Sequence, residues 1–124
     1  MGRTRRAALL CAAVVGVSLA ACVSRTTATA PQVTPAGVRF VFIHSSAGSV
    51  ALAASFNQWS TVSHMLARSA NGRWSIVTPL PPGEHTFMFV VDGRQWVSPP
   101  AAEDYVDDGF GARNGVVVVR PPER

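Results

Sequence analysis

Residues 38–124 predict an all-β domain of the immunoglobulin-like β-sandwich class. Three observations carry this. About seven short runs are rich in β-branched and aromatic residues, turn dipeptides fall between them, and no stretch after Val38 repeats its apolar residues with a helical period. The runs follow in order. Residues 38–44 are β-branched and aromatic, and Ser45-Ser46-Ala47-Gly48 closes them with a turn. Residues 49–53 form a second apolar run, and Met65-Leu66-Ala67 a weak third. Asn71-Gly72 is a hairpin signal ahead of residues 73–79, and Pro81-Pro82-Gly83 is another turn. Residues 84–91 form the longest run, and Asp92-Gly93 marks a type I′ turn into Gln95-Trp96-Val97. Residues 116–119 are the last strand, stopped by Pro121-Pro122.

Strand alternation divides the long run into two faces. Phe87, Phe89 and Val91 share one face, and Thr86, Met88 and Val90 share the other. The aromatic face is expected to meet the core, together with Trp74 and Ile76 of the preceding strand.

The first 37 residues have a different character. Arg3, Arg5 and Arg6 precede an uncharged stretch from Ala7 to Val23, rich in Ala, Val and Leu. A basic head followed by a short apolar segment is the pattern of an export signal, and the segment is short for a membrane span. It ends in Leu19-Ala20-Ala21-Cys22, which resembles the lipobox of bacterial lipoproteins. That resemblance implies a signal over residues 1–21, a lipid on Cys22 and a place on the cell-envelope membrane, since multiple acyl chains anchor stably. An ordinary signal cleaved nearby is the alternative. Residues 22–37 hold the lipidated Cys and a small, polar, Pro-rich stretch expected to be a flexible tether, with a reach of about 50 Å if fully extended.

Charge and cysteine content exclude several functions. The formal charge of +4 comes from 11 basic and 7 acidic residues, and removing Arg3, Arg5 and Arg6 leaves 8 against 7. That near-neutral remainder has no clustered cations for nucleic acid. Of the two cysteines, Cys11 belongs to the removed segment and Cys22 to the lipid, so packing alone must stabilise the domain.

No catalytic, metal or cofactor motif is visible. His44, His64 and His85 stand apart, and there is no HExxH, CxxC, GxSxG or P-loop. Glu103, Asp104, Asp107 and Asp108 lack calcium-loop spacing and are expected to form a solvated acidic loop between the last two strands. The loop tryptophans are the better signal. Trp59 follows the second strand, and Trp96 follows the Asp92-Gly93 hairpin. A loop Trp presents a flat face with a polar N–H, suited to a sugar ring, although from spacing alone each is more often a core plug or loop anchor. Asn114 could then bridge sugar hydroxyls.

Four motifs in order carry a resemblance across residues 49–119. They are Ser55-Phe56-Asn57-Gln58-Trp59 with the apolar run before it, Leu80-Pro81-Pro82-Gly83-Glu84-His85, the 87–93 run ending Val91-Asp92-Gly93 with Trp96, and residues 108–116. The sequence resembles the glycogen-binding domain of the AMP-activated protein kinase β subunit, of carbohydrate-binding module family 48. The resemblance implies an early-set immunoglobulin-like sandwich without catalysis. It also implies that Trp59 and Trp96 stack on glucose rings, Asn114 bonds hydroxyls and Phe110 inserts into the sugar helix. Two family positions differ: Met88 replaces a Lys and Ala112 a Thr, each loss removing hydrogen bonds to sugar. A third departure is Ser98-Pro99 in place of Asp-Pro. The leading expectation is a lipid-anchored module binding an α-glucan with modest affinity. The alternative is an interaction module in which the same sandwich docks an envelope protein.

Overall fold

A computed structural model describes residues 28–122. The signal segment, Cys22 and the tether up to residue 27 lie outside the described residues. Nine strands follow in chain order: β1 (Gln32–Thr34), β2 (Gly37–Ile43), β3 (Val50–Ala54), β4 (Ala67–Ser69), β5 (Arg73–Thr78), β6 (Gly83–Val91), β7 (Gln95–Val97), β8 (Asp104–Asp107) and β9 (Arg113–Val119). They form two antiparallel sheets. One has the order β1-β2-β5-β4; the other has the order β3-β6-β9-β8, with β7 also paired to β6. The expected β-sandwich is therefore present.

Period-two alternation builds the core between the sheets. Phe40 and Phe42 of β2 face Phe87 and Phe89 of β6, with ring centroids 5.0 Å apart for Phe40–Phe87 and 4.6 Å for Phe42–Phe89. Val38, Ala47, Val50, Leu52, Ala54, Leu66, Trp74, Val91, Val117 and Val119 complete the buried cluster. Trp74 is only 5% exposed, and its indole N–H donates to the His44 carbonyl at 3.1 Å, so its polar atom is satisfied. Both faces of β6 are buried from Phe87 to Val91. The outward residues Ala51, Ala53 and Val90 form a second, smaller cluster.

Strand β6 divides its pairing along its length. Gly83–Phe87 pair with β9, and Phe89–Val91 pair with the short β7. The turn between β6 and β7 has positive φ at Asp92 (53°) and Gly93 (71°), the type I′ signature that the dipeptide predicts. Arg94 N–H closes it on the Val91 carbonyl at 3.1 Å. Asp92 also fastens the opposite loop, its Oδ1 accepting from Gly48 N at 2.7 Å and Ser49 N at 3.1 Å.

Two short strands depart from the expectations. The tether does not run free to residue 37, because residues 32–34 are β1 on the edge of the first sheet. The Thr34 hydroxyl donates to the Gly37 carbonyl at 2.6 Å and accepts from Ala36 N at 3.3 Å, closing a hairpin that the Pro-rich composition hides. Residues 104–107 are likewise no loop. They are the edge strand β8, paired with β9. Acidic side chains suit an edge strand, where they blunt unwanted pairing, so charge here hides a strand and does not exclude one. Pairing with β8 also starts β9 at Arg113, three residues before the apolar run. The weak run at 65–67 switches sheets: Met65 bridges Ala51, while Ala67, the first residue of β4, pairs with Ser75 of β5.

Candidate functional site

The outward face of the second sheet carries a concavity of about 370 Å³ lined by Trp59, Met88, Trp96, Asp108, Phe110 and Asn114. All four residues singled out in the sequence, Trp59, Trp96, Asn114 and Phe110, meet there. They come from three places. Trp59 follows β3, Trp96 lies on β7, and Phe110 and Asn114 belong to the β8–β9 turn and the start of β9. Strand register brings them together. Ala53 pairs with Met88, Ala51 with Val90, and Val90 with Trp96. Phe87 pairs with Gly115, so the same register points Met88 and Asn114 to one face.

Trp59 is held by an unusual turn. A 3-10 turn over Ser55–Asn57 is followed by Gln58 and Trp59, both at φ 56°. Positive φ at two successive non-glycine residues costs about 1–3 kcal/mol each and persists only where the surroundings enforce it. Here they do. Trp59 N–H donates to the Ala54 carbonyl at 3.0 Å, and Trp59 packs on the Ala51–Ala53–Val90 cluster. Beneath it, the buried Asn57 ties the loop together. Its Oδ1 accepts from Ala54 N at 2.9 Å and Ser60 N at 3.3 Å. Its Nδ2 donates to the Leu52 carbonyl at 2.8 Å and lies 3.1 Å from His64 Nδ1. That contact fits an Nδ1 that accepts, and the Ser63 hydroxyl sits 3.0 Å from the same nitrogen.

The other walls are more open. Trp96 is 46% exposed and Phe110 93% exposed. Phe110 stands at the tip of the β8–β9 turn between Gly109 (φ 85°) and Gly111 (φ 94°), which L side chains would strain. Asp108 shapes that tip, with Oδ1 accepting from Phe110 N at 2.7 Å and Ala112 N at 3.1 Å. Met88 lines the groove and is 5% exposed. The site thus offers two indole faces, one phenyl ring, a thioether floor, one amide and one carboxylate.

The sequence reading missed two contributors. Asn57 was visible only as part of a motif, although an Asn at a turn is a known side-chain cap of backbone groups. Asp108 was grouped with solvated acidic residues, yet an Asp two residues before a glycine-flanked tip is an Asx-turn signal. No grouping of His, Cys, Asp and Glu among the described residues could hold a metal ion.

The family described as the glycogen recognition site of AMP-activated protein kinase matches residues 38–124. The AMP-activated protein kinase subunit beta-1 of Sus scrofa is 41% identical over 71 residues, covering 57% of this chain and 54% of that protein. The Bos taurus subunit is 42% identical over 71 residues, covering 57% of this chain and 24% of its own length. The Homo sapiens subunit is 41% identical over the same extent, with the same coverage of each chain as the bovine one. The chain therefore spans about half the pig protein and about a quarter of the other two.

Proposed function

We propose that this chain, which belongs to the glycogen-recognition family of non-catalytic carbohydrate-binding modules, binds an α-glucan in the groove between Trp59 and Trp96. The observation that carries the reading is convergence. Residues up to 55 positions apart in sequence bring two indoles, Phe110 and the Asn114 amide to one groove, with the Asp108 carboxylate beside them. Sugar rings stack on Trp59 and Trp96 through their C–H faces, and Asn114 donates to and accepts from hydroxyls. Met88 and Ala112 supply no polar partner, so affinity is modest.

The module is carried on an exported lipoprotein. Residues 1–21 direct export, and Cys22 is acylated and holds the domain on the cell-envelope membrane. Because β1 begins at Gln32, the tether is shorter than the sequence suggested. Ten residues from Cys22 reach about 33 Å at full extension.

Affinity electrophoresis in gels containing glycogen tests the reading. Retardation of the wild type, lost in Trp59→Ala/Trp96→Ala, supports it. Equal mobility of the two in every glucan gel refutes it, and the exposed Phe110 then favours docking onto an envelope protein.

A further inference from the structure

The groove carries a single ionisable side chain. Among its lining residues Asp108 is the only one with a charge, and none is a cation. Its orientation is fixed, since two backbone N–H groups, of Phe110 and Ala112, converge on Oδ1. Asp108 N–H donates in turn to the Ala112 carbonyl at 3.0 Å, so backbone and side chain are tied into one turn. Among the described residues no hydrogen bond or ion pair engages the second carboxylate oxygen, Oδ2. The nearest basic residue in sequence, Arg113, is occupied elsewhere. It lies one residue before Asn114 on β9, hence on the opposite face, and stacks over Tyr105 at 4.9 Å.

We infer that Asp108 is a specificity-determining residue that makes the groove select neutral and amino-bearing glycans and reject anionic ones. The inference rests on the glucan reading above and deepens it. A sugar hydroxyl donates to a carboxylate oxygen in a charge-assisted bond, stronger than a neutral one. A sugar ammonium gains the same carboxylate, together with the faces of Trp59 and Trp96. A uronate or sugar phosphate meets a fixed like charge instead. The thioether of Met88 in the floor provides no compensating cation. Polar recognition in this groove is therefore weighted toward acceptors, where a lysine in the floor would weight it toward donors.

The test titrates the full chain, held in a detergent without a sugar headgroup, with three probes. They are maltoheptaose, maltoheptaose with its primary hydroxyls oxidised to carboxylates, and its amino-substituted counterpart. Wild type is expected to bind the carboxylate probe about tenfold more weakly than maltoheptaose, or about 1.4 kcal/mol. It binds the amino probe at least as tightly as maltoheptaose, and added salt weakens that binding. Asp108→Asn keeps an oxygen for the Phe110 and Ala112 N–H groups, so the turn survives while the charge is lost. Its preference for neutral over carboxylated probe falls to within about twofold. Met88→Lys narrows the preference independently by placing a cation in the floor. Wild type binding both probes equally, or Asp108→Asn retaining the tenfold preference, overturns the inference and leaves the glucan reading standing. No binding of any probe by wild type or Met88→Lys overturns both.

Discussion

Removal of the Asn57 side chain is expected to unfasten the loop that presents Trp59 and to weaken the whole domain. Asn57 is 7% exposed, and Asn57→Ala deletes every bond its amide makes. Two of the abandoned partners are backbone groups of residues with no exposure, the Ala54 N–H and the Leu52 carbonyl, which water cannot easily reach. A buried polar group left unsatisfied costs about 1–3 kcal/mol, so the pair costs about 2–6 kcal/mol. That is a large share of the ~5–15 kcal/mol that holds a domain together. At about 4–8 °C per kcal/mol for a domain of this size, the thermal midpoint falls by at least about 8 °C. Circular dichroism melts measure that fall, and near-ultraviolet spectra report the loosened indole. Asn57→Asp is the informative companion. It retains the oxygen that accepts from Ala54 and Ser60 but sets a buried carboxylate oxygen against the Leu52 carbonyl, so it should destabilise as well, and less so at low pH where the carboxyl is protonated and can donate. If Asn57→Ala melts within about 2 °C of wild type, the amide is not what holds the Gln58–Trp59 backbone at positive φ, and the reasoning fails.

Further substitutions have expected outcomes. A Cβ at position 115 would lie 2.8 Å from Pro99 Cγ and 2.9 Å from Phe87 Cε1, so Gly115→Ala overpacks the core and costs about 1–3 kcal/mol in chemical denaturation. Met88→Lys restores a donor to the floor, and calorimetric titration with a linear maltooligosaccharide should show affinity raised about tenfold or more. Trp59→Ala should lose about 1–3 kcal/mol of stability as well as glucan binding, whereas Trp96→Ala should lose binding with little change in melting. Cys22→Ser should abolish acylation, seen by mass spectrometry of the membrane fraction as a missing lipid mass on the N-terminal residue.

What the sequence revealed follows from which physical signals are local. Alternation in β6 is local, and it placed Phe87 and Phe89 in the core and Met88 on the outer face correctly. The Asp92-Gly93 turn is also local, because its φ values depend on two residues. The strands β1 and β8 escaped because their pairing is decided by partners. Gln32–Thr34 and Asp104–Asp107 have little apolar content of their own, and each is a strand because β2 or β9 offers it an edge. The meeting of Trp59, Trp96, Phe110 and Asn114 was expected from the family likeness, since spacing alone could not separate a core Trp from a groove Trp. Asp108 illustrates the remaining gap. Its charge reads as solvation, and only the two N–H groups bound to Oδ1 reveal a fixed carboxylate at the groove.

The groove and the fold share residues, and β6 shows why. A sandwich strand with one face in water should alternate between buried and exposed, yet every residue from Phe87 to Val91 is buried. The inner face is covered by the opposite sheet. The outer face is covered by the site itself, since Trp59 packs over Ala51, Ala53 and Val90 while Trp96 pairs beside Val90. Small residues in β3 make this possible, because alanines at 51 and 53 leave room for an indole to lie close to the sheet. Trp59 therefore lines the groove from a position fixed by apolar burial, so under the proposed stacking it would lose little conformational entropy. Phe110 is the opposite case. Flanked by Gly109 and Gly111 and almost wholly exposed, it contributes nothing to the core and is ordered only by the Asp108 turn. The rigid wall and the exposed tip thus face each other across one groove, and a bound glycan would add most of its order at the Phe110 side.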